Sequence, residues 1–207
     1  MPVSRFIAVA MLSAAVLGGC QSTPDVSAVE PSDIQSALTA CSSDRVSVGL
    51  ARLDSLDAAH PANADVLAIR GLCRSVRFAA DSVQADARAA LADLSVAAEL
   101  LEATPDAYQT PVDQVYSQRA FVVQALRPGD WAASLADFDR AVAAAPRNPI
   151  HVLDRGVARA MARDTAGARA DLRQFIALAP TESARAAELR RLLGERPDSA
   201  FTLPLAP

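Results

Sequence analysis

The side chains that most often carry out catalysis are sparse in this chain of 207 residues. Its two histidines, His60 and His151, lie far apart in the sequence, and no nucleophile elbow, HExxH, P-loop or dinucleotide-binding motif occurs. The carboxylates are numerous, but they alternate with arginines at helical spacing, a pattern typical of a solvated helix face. We therefore expect no enzyme activity, no metal site and no cofactor.

The charge pattern limits the kinds of partner that we expect, and the composition limits the possible fold classes. The net charge is −4, with acidic and basic residues interspersed. No basic stripe is present, so nucleic acid is not an expected partner. Apolar residues make up 51% of the chain and aromatic residues only 4%. An interior of alanine, leucine and valine suits closely packed helices, which predicts an all-α protein.

Cys20 ends an apolar run that is too short to span a bilayer and that predicts a signal peptide over residues 1–19. Residues 17–20 read LGGC and resemble the lipobox of bacterial lipoproteins. The resemblance implies cleavage before Cys20, attachment of fatty acyl chains such as palmitate, and an anchor in the membrane. Gln21 follows instead of aspartate, which implies the outer membrane and a chain that faces the periplasm. The alternative is an ordinary signal peptide with a chance cysteine.

The second half of the chain repeats itself. Residues 128–146 read PGDWAASLADFDRAVAAAP and residues 162–180 read ARDTAGARADLRQFIALAP, and they match at one constant offset, with Asp137 over Asp171 and Pro146 over Pro180. A shorter echo, LADL, occurs at 91–94, and an Arg-Gly pair occurs at both 70–71 and 155–156. A period of about 34 residues is typical of stacked helix-turn-helix units.

These units resemble the tetratricopeptide repeat. With Pro149 as position 1, Gly156, Ala168, Leu172 and Pro180 fall on signature positions 8, 20, 24 and 32. The resemblance implies a short helix-turn-helix solenoid over residues 32–194, which follows a lipidated cysteine and flexible tether over 20–31. A capping helix is expected over 183–193 with Thr181 as its N-cap, and an extended tail over 195–207.

Two cysteines remain if Cys20 carries lipid. In the repeat numbering, Cys41 and Cys73 lie late in the first helices of neighbouring units, where adjacent helices run side by side. Together with an oxidising compartment, this favours a disulfide between them. The alternative is a pair of buried thiols that pack as small apolar groups.

The same resemblance implies that the first helices of the repeats line a groove for partner segments. The predicted groove residues are Leu72, Val76, Tyr116, Arg119, Val123, Leu126, Arg127, Ile150, Leu153, Val157, Ala160 and Met161. The groove is expected to be mainly apolar, without the lysine and asparagine clamp by which some relatives hold a terminal carboxylate. The alternative is that these residues only pack between helices.

Arg155 and Asp171 fall at positions 7 and 23 of one repeat, which face each other in an antiparallel helix pair of this family. We expect a structural ion pair, partly buried, whose disruption at one partner costs more than removal of both. Arg70 and Asp93 are the same pair in the earlier unit, separated by seven more residues. The additional residues are expected to lie in the connection between the helices.

Two functions follow from these resemblances. The first is a membrane-anchored periplasmic adaptor or scaffold that binds envelope proteins or peptide segments. The second is a fixed subunit of an envelope machine, such as one that assembles a pilus, a secretin or outer-membrane proteins. An adaptor should capture several envelope proteins, whereas a subunit should co-purify with one complex.

Overall fold

The computed structural model describes residues 29–42, 45–179 and 184–194. The predicted signal peptide, Cys20, most of the tether, Thr181 and the tail over 195–207 lie outside these residues. Within the described ranges the chain forms nine α-helices and one 3-10 turn, and it forms no strand. The predicted all-α class is confirmed.

Consecutive helices are joined mostly by short connections, as in a series of helix hairpins. The helices are α1 (Pro31–Cys41), α2 (Val46–Ala59), α3 (Ala64–Asp81), α4 (Gln84–Ala103), α5 (Val112–Leu126), α6 (Trp131–Ala144), α7 (Pro149–Met161), α8 (Thr165–Leu178) and α9 (Ala184–Leu192). The 3-10 turn, Pro105–Ala107, lies between α4 and α5. None of these helices is both long and apolar enough to cross a membrane.

The structure divides into two compact units, one ending at Leu126 and the other beginning at Arg127. The N-terminal unit contains α1–α5, in which α3 packs against α2 and α4, and α5 packs against α4. The C-terminal unit contains α6–α9, in which α7 packs against α6, α8 and α9. Each unit therefore builds its interior from neighbouring helix pairs, as repeat proteins do.

The repeated segment of the sequence becomes a repeated helix in the C-terminal unit. The helices α6 and α8 both contain 14 residues, and their first residues, Trp131 and Thr165, occupy matching places in the repeat. Each follows an aspartate at the N-cap position. The carboxylate of Asp164 accepts a hydrogen bond of 2.9 Å from the backbone N–H of Gly167, which satisfies one donor of the first turn.

The interior of the C-terminal unit is closed by α9. Leu189 of this helix is fully buried and packs with Leu153, Leu172 and Phe175 of the two preceding helices. Leu189 also lies against Gly156, where an added Cβ would stand 2.8 Å from a leucine methyl carbon. The helix covers the apolar face that α7 and α8 leave open, which is the capping role expected from the sequence.

The interior of the N-terminal unit gathers around Cys41, Leu53, Val66 and Cys73. At the start of α3, the buried carboxylate of Asp65 accepts hydrogen bonds from the backbone N–H groups of Gln109 and Thr110, the latter at 2.7 Å. This contact ties the connection between α4 and α5 to α3. Two backbone N–H groups of the irregular segment between α4 and α5 are thus hydrogen-bonded by a side chain.

Candidate functional site

The C-terminal unit contains a cluster of two arginines and two aspartates, called here the Arg155 cluster. The guanidinium of Arg155 donates two hydrogen bonds to the carboxylate of Asp171, at 3.1 and 2.7 Å. Arg159, one turn further along α7, donates to the same carboxylate at 3.0 Å. Both arginines also donate to Asp139 of α6, at 3.2 and 3.1 Å. The cluster therefore links three helices.

The N-terminal unit contains a matching group, called here the Arg70 cluster. Arg70 donates two hydrogen bonds to the carboxylate of Asp93, at 3.0 and 2.9 Å, and Arg74 donates to Asp93 at 2.5 Å. On α2, Asp57 accepts from Arg70 at 2.7 Å, and Asp54 accepts from Arg70 at 3.2 Å. This cluster also joins three consecutive helices.

The structure corrects the predicted position of the seven extra residues, which do not lengthen the connection. The helix α3 continues beyond Arg70 for about three turns, whereas α7 continues beyond Arg155 for less than two. In turn, α4 begins about two and a half turns before Asp93, whereas α8 begins less than two turns before Asp171. The connection itself is one residue shorter. The extra residues thus lengthen both helices on the side of the pair that leads to the connection, and Arg70 and Asp93 still face each other.

The extended end of the N-terminal hairpin has its own ion pair. The guanidinium of Arg77, near the end of α3, donates two hydrogen bonds to the buried Asp86 in the first turn of α4. The one from Nε measures 2.7 Å. Between these helices Ser82 adopts a left-handed conformation with φ of 57°, which allows a connection of two residues.

The two central arginines are held in the charged state. Burial lowers the pKa of Arg70, but its hydrogen bond and charge attraction to Asp93, followed by those to Asp57, raise the pKa above its ordinary value. Burial likewise lowers the pKa of Arg155, and the hydrogen bond and charge attraction to Asp171 outweigh it, with a further contribution from Asp139. Both guanidinium groups donate hydrogen bonds, but neither can lose or gain a proton as a catalytic acid or base at physiological pH.

The geometry of the clusters is that of a structural brace. Asp171 is 1% exposed and Asp93 is 6% exposed, and both carboxylates are occupied by two guanidinium groups. A carboxylate in this state is unsuited to act as a general base. No group of three or more His, Cys, Asp or Glu residues in the described part of the chain is arranged to hold a metal.

Sequence reasoning identified the central pairs but missed the outer members of the clusters, which are Arg74, Arg159, Asp54, Asp57 and Asp139. A signal for all but Asp57 was present in the spacing. Each central arginine is followed one helical turn later by a second arginine, and residues four apart share one helix face. Each is also preceded, at a sequence separation of 16, by an aspartate on the neighbouring helix. The same separation relates Arg155 to its central partner on α8.

The N-terminal unit contains a disulfide between Cys41 and Cys73, with Cα atoms 5.3 Å apart and a sequence separation of 32 residues. It connects α1 to α3. Gly49 of α2 lies against this bond, and a Cβ at Gly49 would also stand 2.8 Å from the backbone oxygen of Ala37. The absence of a side chain at Gly49 therefore lets α2 pack closely beside the disulfide.

Several predicted groove residues are not available at the surface. Leu72 is 4% exposed and Leu153 is 1% exposed, because both pack in the interior of their units, so their assignment to a groove is wrong. Tyr116 is also buried, and its hydroxyl donates to Glu102 while Arg119 lies 5.5 Å from the centre of its ring. The remaining members of the N-terminal unit are partly exposed, and these are Val76, Val123 and Leu126.

The most exposed apolar residues of the predicted groove lie on α7. Ile150 is 43% exposed and Met161 is 39% exposed, and Val157 lies half-buried between them. Because these positions follow each other at spacings of seven and four, they fall on one face of the helix. We call Ile150, Val157 and Met161 the α7 stripe. Ala160 is half-buried beside it, and Arg127, outside α7, is exposed.

Both units are thus made of helix hairpins braced by buried charge pairs, which defines an all-α helical-repeat protein. Residues 123–194 match the family model of the tetratricopeptide repeat. The match spans all of α6–α8 and the described part of α9, so this part of the chain is similar to tetratricopeptide repeats. This family supports a role in protein–protein interaction.

Among solved structures, the chain is similar to the crystal structure of PilW, described as a widely conserved type IV pilus biogenesis factor. The TM-score is 0.44 and the sequence identity 13%, over 78% of this chain and 84% of that one. No curated protein sequence matches the chain.

Proposed function

We propose that this protein is a lipid-anchored adaptor of the bacterial cell envelope, attached to the outer membrane and facing the periplasm. The observation that carries the proposal is the tetratricopeptide match over residues 123–194. Arrays of this kind use helix faces to hold segments of other proteins. The adaptor would recruit envelope proteins or peptide segments rather than transform a substrate.

The arrangement of charge within the units supports this proposal. Asp93 and Asp171, the most buried carboxylates of the two clusters, are engaged by arginines that join neighbouring helices. These residues fix the hairpins relative to one another within each unit. A rigid framework lowers the conformational entropy lost when a partner binds, which is an advantage for a scaffold.

The proposed anchor rests on the sequence LGGC at residues 17–20 and on the polar, proline-containing segment that follows it. We expect Cys20→Ala to prevent lipidation and to release any processed protein from the membrane fraction. Ser22→Ala is the matched control, because it changes a neighbouring residue, keeps Cys20 and leaves the disulfide between Cys41 and Cys73 intact. Membrane retention of the Cys20→Ala protein at the level of the control would contradict the anchor.

The adaptor function is tested by chemical crosslinking in intact cells followed by affinity capture of the full-length protein. An adaptor is expected to yield several envelope proteins in amounts that change with growth conditions. A fixed subunit of an envelope machine, the alternative function, would yield one set of proteins at constant stoichiometry. Recovery of the protein without any crosslinked partner would contradict both functions.

A further inference from the structure

The two units carry opposite charge. Residues 29–126 contain seven arginines and thirteen acidic residues, a formal net charge of −6. Residues 127–194 contain eleven arginines and eight acidic residues, a formal net charge of +3. The overall charge of −4 conceals this division, which emerges only once the boundary after Leu126 is known.

The division persists at the surface of the described residues. In the C-terminal unit seven arginines are exposed against three aspartates, whereas in the N-terminal unit three arginines are exposed against seven acidic residues. Burial explains part of the excess of exposed arginines over exposed aspartates in the C-terminal unit, because Asp137, Asp154 and Asp171 lie in its interior. The surface of the C-terminal unit is therefore basic, and it attracts anionic groups over about one Debye length.

Two exposed arginines flank the α7 stripe. Arg147 lies three residues before Ile150 and Arg163 lies two residues after Met161, and all four residues are exposed. The helix rises by about 16 Å along its axis between Ile150 and Met161. Along residues 147–163 the order in sequence is therefore an exposed cation, an exposed apolar side chain, a half-buried apolar residue, an exposed apolar side chain and an exposed cation.

We propose that the α7 stripe binds an acidic protein segment in which two apolar side chains are flanked by carboxylates. An extended chain covers about 16 Å in about five residues, so the two apolar side chains lie about that far apart. The arginines bind the flanking carboxylates, and the basic surface of the unit steers the segment to the stripe. This inference rests on the proposed adaptor function and specifies the chemistry of its partner.

The test uses the full-length protein and a fluorescent peptide in which two leucines, spaced as above, are flanked on each side by two glutamates. Its counterpart carries glutamine in place of each glutamate. At about 0.05 M salt the glutamate peptide should bind about tenfold more tightly, and at about 0.5 M salt this difference should largely disappear. Equal binding of the two peptides at low salt, or no binding of either, would overturn the proposal.

Variants of exposed residues locate the site. The double variants Arg147→Gln/Arg163→Gln and Ile150→Ser/Met161→Ser should each weaken binding of the glutamate peptide by about fivefold or more. The matched control is Arg52→Gln/Arg88→Gln, which removes two exposed arginines of the N-terminal unit and should leave the affinity unchanged. Loss of affinity in the control equal to that in the first variant would contradict a site on α7.

Two further measurements test whether a different anionic partner occupies the α7 stripe, either a membrane or the acidic unit of a second copy of the protein. Vesicles that contain phosphatidylglycerol should not compete with the glutamate peptide, and sedimentation of the protein at low salt should show no head-to-tail association of the two oppositely charged units. Competition by vesicles or salt-sensitive self-association would overturn the proposal in favour of a membrane or a second copy. The crosslinking experiment judges the adaptor function independently, because it does not depend on the charge of the partner.

Discussion

The hairpins α3–α4 and α7–α8 carry the same arrangement of arginine and aspartate on helices of different length. The first pair has 18 and 20 residues, whereas the second has 13 and 14. In both, one guanidinium forms two hydrogen bonds to one buried carboxylate. The repeat thus preserves the face on which the paired residues lie, while both helices can be lengthened beyond the pair.

The two units also differ in how their helices are held. The longer hairpin of the N-terminal unit has a second ion pair, between Arg77 and Asp86, and its unit contains the disulfide between Cys41 and Cys73. The C-terminal unit contains no cysteine and follows the family pattern more closely. The unit that departs further from the repeat pattern is thus the one with a covalent link.

The largest expected effect concerns the Arg155 cluster. Asp171→Leu should lower the free energy of unfolding of the C-terminal unit by about 3–5 kcal/mol, because it leaves two partly buried arginines with Asp139 and, for Arg159, a longer contact of 4.0 Å to Asp164. Arg155→Met should cost less, since Arg159 still binds Asp171. The double variant should be more stable than Asp171→Leu alone. Urea unfolding followed by fluorescence of Trp131, the only tryptophan in the chain, measures these changes.

The corresponding change in the N-terminal unit sharpens the comparison. Asp93→Leu should destabilise its unit less than Asp171→Leu does, because Arg70 retains two aspartates of α2.

Asp130→Asn, at an exposed position without a side-chain capping bond, serves as a control for the C-terminal unit and should change stability by at most about 0.5 kcal/mol. If the losses of stability in Arg155→Met and Asp171→Leu simply add in the double variant, the two residues are not energetically coupled.

The second effect concerns the disulfide. Cys41→Ala/Cys73→Ala should destabilise the N-terminal unit by about 2–4 kcal/mol, since the bond closes a loop of 32 residues that restricts the unfolded chain. Hydrogen exchange should accelerate at the amides of α1–α3. Amides of α7 and α8 provide an internal control and should exchange as in the unaltered protein. Unchanged exchange throughout α1–α3 would mean that the bond adds no stability.

The smallest expected effect compares three glycines that lie at helix contacts. Gly49→Ala should cost most and Gly156→Ala least, with Gly71→Ala between them, over a range of about 1–3 kcal/mol. An added Cβ would meet backbone at Gly49 and the branching carbon of Leu94 at Gly71, whereas at Gly156 its nearest neighbour is a movable methyl of Leu189. Thermal unfolding of the three variants gives the order. A larger loss for Gly156→Ala than for Gly49→Ala would reverse the comparison.

Much of the fold could be predicted from the sequence because helix hairpins leave a periodic signature. The repeated segment located α6 and α8, and the spacing of Arg155 and Asp171 located the central ion pair. The sequence did not indicate where extra residues enter a hairpin, because a longer loop and two longer helices have the same residue count. Solvent exposure was also inaccessible, since Leu153 and Ile150 both look apolar and only packing separates them.

The most direct test of the account is to map where partners touch the protein in living cells. A photoreactive amino acid placed at Ile150 or Met161 is expected to give crosslinks to envelope proteins, because these side chains are exposed on the α7 stripe. Placed at Ala136 or Ala170, on α6 and α8, it should give few or none. Crosslinks from Ala136 and Ala170 with none from Ile150 and Met161 would contradict binding through α7.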